Sequence, residues 1–129
     1  MDPACGALHR AGRPQTRFYV VGTNSGLADV FVVLRSVSSM QSEAPSSPVE
    51  IRQRGCEFLP YITAAQAGQV IRVFNDDPVM HNVHPTLDVV GNGERNVAQL
   101  PRAMPLDFTF PKPELFLRFK CDVHPWMFA

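Results

Sequence analysis

The chain has 129 residues, 45% of them apolar, with 12 Lys plus Arg set against 12 Asp plus Glu. That length makes one domain around one core, and the balanced charge provides neither a basic face for nucleic acid nor an acidic tail. No apolar run approaches the roughly 18 residues of a membrane-spanning helix, so no membrane span is expected.

Residues 1–16 lack hydrophobic periodicity and read as a flexible N-terminal arm, without the apolar stretch of an export signal. Residues 17–129 read as a single domain. Phe18–Val21 and Val30–Leu34 are dense in β-branched and aromatic residues and flank the turn-like Thr23-Asn24-Ser25-Gly26, the pattern of a hairpin. A Ser/Pro-rich loop follows at 36–48. Strands or strand ends are then expected at Cys56–Pro60, Tyr61–Thr63 and Val70–Phe74, with a turn at Gln66-Ala67-Gly68 and a stop at Asn75–Pro78. Leu106, Phe108 and Phe110 alternate with polar neighbours, as one buried strand face requires. Leu115, Leu117 and Phe119 alternate likewise, and one more step puts Cys121 on the inward side.

Twelve prolines and eight glycines leave few windows long enough for a helix. The expected fold class is therefore all-β, a Greek-key β-sandwich of about seven short strands. Three cysteines, Cys5, Cys56 and Cys121, are an odd number with no Cys-x-x-Cys pair, which argues against a disulfide framework and for one functional thiolate. On this reading Cys5 sits idle in the arm and Cys56 is a small buried residue at a strand start.

The chemistry concentrates in Cys121-Asp122-Val123-His124-Pro125-Trp126-Met127, which presents a thiolate, an imidazole and a thioether at steps of three along one tight loop. Far upstream, Met80-His81-Asn82-Val83-His84 offers a second imidazole. Two His, one Cys and a weak Met form the ligand set of a blue-copper site. Thiolate and thioether favour Cu(I), imidazole suits both oxidation states, and a geometry between the two preferences lets the metal change charge with little rearrangement.

The pairing of His81-Asn82-Val83-His84 with Cys-x-x-His-x-x-Met resembles the cupredoxin family, and the loop spacing is most similar to amicyanin. The likeness runs from about Ile51 to Met127, through Phe58-Leu59-Pro60, Ala67-Gly68 and Phe74-Asn75, which resemble strands of plastocyanin-like domains. Gly55-Cys56 with Cys121–Met127 also resembles exported bacterial proteins of methylamine-utilisation-like type. The resemblance implies one copper ion held by His81, Cys121, His124 and Met127, single-electron transfer with a redox protein partner, no enzyme activity, and a periplasmic or otherwise extracytoplasmic location. The family continues with a closing strand after the methionine, so an edge strand is either lacking or supplied by Phe18–Leu34.

Each ligand has a competitor or a helper. His84 lies three residues from His81 along an extended chain and so faces the other way. Asn82 is placed to tie the two ligand segments together and to offer its backbone N–H to the cysteine sulfur. Val123 stands where the amicyanin loop has proline, so its N–H is free to donate to the same sulfur. Pro85, Pro125 and Trp126 are expected to form an exposed apolar patch through which the His124 edge meets the partner. Three other outcomes remain open: a copper-delivery module, a copper site with an open position for a small ligand, or a metal-free structural domain of a larger exported protein.

Overall fold

The structure, a computed structural model, describes residues 2–9, 12, 17, 19–33 and 42–129. Seven short strands follow one another in the chain: β1 (Val49–Gln53), β2 (Phe58–Leu59), β3 (Ile71–Asn75), β4 (His81–Thr86), β5 (Val97–Gln99), β6 (Leu106–Phe108) and β7 (Arg118–Lys120). They form two sheets, in the orders β2-β1-β3-β6 and β5-β4-β7. The all-β class and the strand number are as expected.

Alternation in each strand sends one set of side chains inward. Ile51 from β1, Ile71 and Val73 from β3 and Phe108 from β6 meet Val83 from β4 and Phe119 from β7 in one core. The Phe108 and Phe119 rings cross edge to face at 5.8 Å, which joins the sheets near the centre. Between the sheets, the buried Gln53 Nε2 donates to Gln99 Oε1 at 2.6 Å, and Gln99 Nε2 donates to Val73 O at 3.0 Å. A buried amide pair of this kind fixes how the sheets register, because any slip would strand its polar atoms.

Three strands escaped the sequence reading: β1, β4 and β5. Asp76, Asp77 and Pro78 end β3 as expected, and β4 begins soon after, at His81. β4 pairs antiparallel with β7, His84 opposite Lys120, so the register carried one step further sets Asn82 against Asp122 and brings His81 to the loop after β7. The β7 alternation holds at Phe119 and Cys121, both buried, whereas Leu115 and Phe116 are exposed. Beyond the loop, Phe119 and Ala129 exchange two backbone hydrogen bonds of 2.9 Å, so residues 128–129 lie along β7 as a closing segment.

The hairpin expected from Phe18 to Leu34 is reduced to the bridge Val21–Leu27 around the turn at 23–25, and Phe18 and Leu34 lie outside the described residues. No described residue between 19 and 33 joins either sheet, and Val32 is 93% exposed. β-propensity needs a partner strand to take effect, and the described part of this segment pairs with none in either sheet. The loop expected at 36–48 is strand-free over its described part, 42–48.

The N-terminal arm is a second correction. Pro3–Leu8 form a short helix, α1, capped by Asp2, whose carboxylate accepts from the N–H groups of Ala4 at 2.7 Å and Cys5 at 3.3 Å. Asp at the cap with Pro at the first helical position is a favourable helix start. Cys5 is bonded to Cys56, contrary to the expectation of two unpaired cysteines. With Cys121 set aside as the one free thiol, the remaining two form an even pair.

Candidate metal centre

β4 and the loop after β7 bring three donor atoms to one buried point. His81 Nδ1 lies 2.9 Å from His124 Nδ1, and His124 Nδ1 lies 3.7 Å from Cys121 Sγ. The three donors are all within 4.8 Å of one another, and all three residues are buried. The loop that carries two of them is closed by its own backbone: Cys121 N–H donates to Met127 O at 3.1 Å and Met127 N–H to His124 O at 2.9 Å. Those bonds turn Met127 into the same interior, where it is 1% exposed.

The electrostatics suit a thiolate. Burial pushes the Cys121 thiol up, but hydrogen bonding from the His81 ring and from the backbone N–H groups of Asn82, His124 and Val123 outweighs it and holds the thiol below its usual value. The Asn82 N–H donates to Sγ at 3.4 Å. The Asn82 side chain ties the ligand segments, accepting from Asp122 N at 2.5 Å and donating to Asn96 Oδ1.

A residue absent from the sequence reading completes the arrangement. Asp77 is buried and accepts from His81 Nε2 at 2.9 Å, Gly55 N at 2.6 Å and Cys56 N at 2.8 Å. Burial raises its carboxyl, yet these hydrogen bonds win and hold it below the usual carboxylate range. By the same pairing His81 is held above its ordinary value despite the opposing burial. When the Nδ1 proton leaves, the remaining proton stays on Nε2 toward Asp77 and the neutral His81 ring turns an Nδ1 lone pair toward His124 and Cys121. An acidic residue four before a candidate ligand, in the turn that starts β4, was the available signal. His124 is shifted the other way, below its ordinary value, by burial and by the nearby His81.

His84 points away, as i to i+3 alternation requires, and bonds Asp122 Oδ2 at 2.7 Å through Nδ1. The expected partner patch is corrected. Pro85 is fully buried, because it shares the inward side of β4 with His81 and Val83. Trp126 is half-buried, its Nε1 donating to Cys56 O at 3.3 Å and its ring 5.1 Å from His124. Only Pro125 of the three is exposed. The cavity of about 480 Å³ lined by Phe31, Ile51, Phe110 and Phe119 lies apart from the donor cluster and includes none of its residues.

No protein-family model matches the chain, and no curated protein matches it. Solved structures do. A copper-containing nitrite reductase (NirK) from Thermus scotoductus SA-01 is 22% identical with a TM-score of 0.56, covering 72% of this chain and 24% of its own. Amicyanin from Paracoccus versutus is 20% identical with a TM-score of 0.55, covering 67% of this chain and 81% of its own. A purple cupredoxin from Nitrosopumilus maritimus is 20% identical with a TM-score of 0.51, over 63% and 94%. The chain therefore spans about a quarter of the nitrite reductase and most of the two smaller proteins. At these identities the likeness establishes the fold, which is cupredoxin-like.

Proposed function

We propose that this protein is a type 1 copper electron carrier of an extracytoplasmic compartment, serving a redox protein partner rather than catalysing a reaction. The observation that carries the reading is the convergence of His81 Nδ1, His124 Nδ1 and Cys121 Sγ within 4.8 Å in a buried pocket. Two imidazoles and a thiolate, with the Met127 thioether on the same loop, are the donor chemistry that copper takes in electron-transfer sites. The Cys5–Cys56 disulfide supports that compartment, since such bonds persist where the surroundings are oxidising.

Bound copper supplies the one-electron couple. The chain's own residues do the rest. Asp77 holds the proton of His81 on Nε2 and so keeps Nδ1 a donor in every redox state. The Asn82 and Val123 N–H groups withdraw electron density from Sγ, which favours the reduced state. Burial of all three donors, with β4 and β7 paired beneath them, keeps water out and resists the shape that either oxidation state would prefer alone. Met127, buried on the same loop, would be the weak fourth donor. Four donors so engaged would leave no open position for a substrate, the ground for reading a carrier rather than an enzyme.

The test is a reversible one-electron voltammogram of the copper-loaded protein. A single reversible wave supports the carrier. Tight Cu(I) binding with no reversible wave would favour delivery, and spectral change on adding azide would favour an open position.

A further inference from the structure

An electron carrier needs an edge of its metal site within reach of a partner, and the exposed His124 edge expected from the sequence is absent, since His124 is only 3% exposed. What covers it comes from the far end of the chain. A His124 ring nitrogen lies within 4.8 Å of both Cys5 Sγ and an Asp2 carboxylate oxygen, so α1 and its cap sit directly over the imidazole. On the other side, Cys56 Sγ lies within 4.8 Å of His81 and Asp77 donor atoms. The disulfide thus fastens α1 to the corner at Gly55-Cys56, whose two N–H groups Asp77 already holds.

The rest of the segment is built to let go. Cys5 is the one buried residue of α1, and the other five helical residues are exposed. Its hydrogen bonds among the described residues are local: to the Asp2 carboxylate and carbonyl, and from His9 N and Gly12 N to carbonyls within it. His9 Nε2 is buried and has no partner among the described residues, a standing cost of the closed position. A helix of six residues does not persist by itself in water. Without the bond, one buried cysteine would be left to hold it.

We infer that residues 2–9 are a lid over the His124 edge, kept shut by the Cys5–Cys56 disulfide, so that thiol–disulfide exchange sets how readily the metal centre trades electrons. The purpose rests on the carrier reading; the lid itself does not. The reductant is a dithiol. As the helix frays, one of its thiolates attacks a cystine sulfur, breaking the S–S bond and forming a mixed disulfide; its second thiolate then displaces the remaining cysteine. Cys5 and Cys56 take up the two protons the dithiol gives and end as thiols, and the dithiol ends as a disulfide.

The experiment uses the full chain, metal-free and copper-loaded, as wild type and as the double variant Cys5→Ala/Cys56→Ala. In metal-free protein, carbethoxylation of each histidine by diethylpyrocarbonate is followed by mass spectrometry. The lid predicts that His124 reacts at least tenfold faster in the variant, with His84 unchanged. In copper-loaded protein, reduction by hexaammineruthenium(II) should accelerate by a similar factor. Equal His124 rates within twofold, in a variant whose circular dichroism is native, would overturn the lid. If the variant does not fold, the same rates are read on wild type before and after dithiothreitol; unchanged rates with Cys5 and Cys56 shown alkylatable would equally overturn it. A His124 response without any reversible copper couple would sink the carrier and leave the lid standing.

Discussion

Replacing Asp77 by Asn keeps the shape of the side chain and removes its charge, which makes it a sharp probe of how the centre is held. Asp77 receives three hydrogen bonds, from His81 Nε2 at 2.9 Å, Gly55 N at 2.6 Å and Cys56 N at 2.8 Å. An amide keeps one acceptor oxygen but turns an N–H pair toward groups that are themselves donors. At least one buried donor then goes unpaired, and the survivors lose their charge assistance. The expected cost is about 2–4 kcal/mol. In urea that is a fall in midpoint of roughly 1–2 M at an ordinary slope. The pH profile of the difference carries the signature of the pair. Asp77 is held below 3.8, so its contribution is present above that pH and is lost as pH falls through the lower folded value. His81 is held above 6.5, so its contribution is complete below that pH and is lost as pH rises through the raised folded value. The gap between wild type and variant should therefore be widest between pH 3.8 and 6.5 and narrow on both sides. Urea titrations of metal-free protein across pH 3–9 measure it. A difference below about 0.5 kcal/mol at pH 5, or a flat profile, would refute the positioning assigned to Asp77.

Other substitutions separate packing from ligation. Met127→Leu should cost less than about 1.5 kcal/mol, as volume-conserving core changes do, yet shift the voltammetric midpoint of the copper-loaded protein; an unchanged midpoint would remove the thioether from the ligand set. Val123→Pro removes the Val123 backbone N–H, one of the groups that hold the Cys121 thiol down, and should lower the reduction potential; a potential that stays or rises would count against that role. Asn82→Ala keeps the backbone N–H to Sγ but loses the side-chain links to Asp122 and Asn96, so thermal melts should show a loss of about 1–2 kcal/mol.

The donor set was legible because its signal is local. Cys121, His124 and Met127 sit on one seven-residue loop, and period-2 alternation from Phe119 sends Cys121 inward regardless of the rest of the fold. Alternation allowed only one of His81 and His84 to reach the metal, and the family resemblance pointed to His81. What escaped depends on long-range contact. Cys5 and Cys56 are 51 residues apart, and nothing local announces their bond. Asp77 reads as one more turn residue until β3 and β4 fold it beneath His81. Pro85 was misplaced for a different reason: the extended-chain alternation that set His84 opposite His81 was not carried one residue further, and it puts Pro85 on the buried side with His81 and Val83. Phe18–Val21 and Val30–Leu34 have the composition of strands, but composition cannot supply a partner edge.

The central claim is that Cys121 binds copper as a thiolate beside two imidazoles. The visible spectrum of metal-free protein titrated with Cu(II), set against Cys121→Ser, tests it most directly. The account predicts an intense blue or green band that saturates at one copper per chain and vanishes in the variant. No band in the wild type, or the same band in the variant, would contradict it.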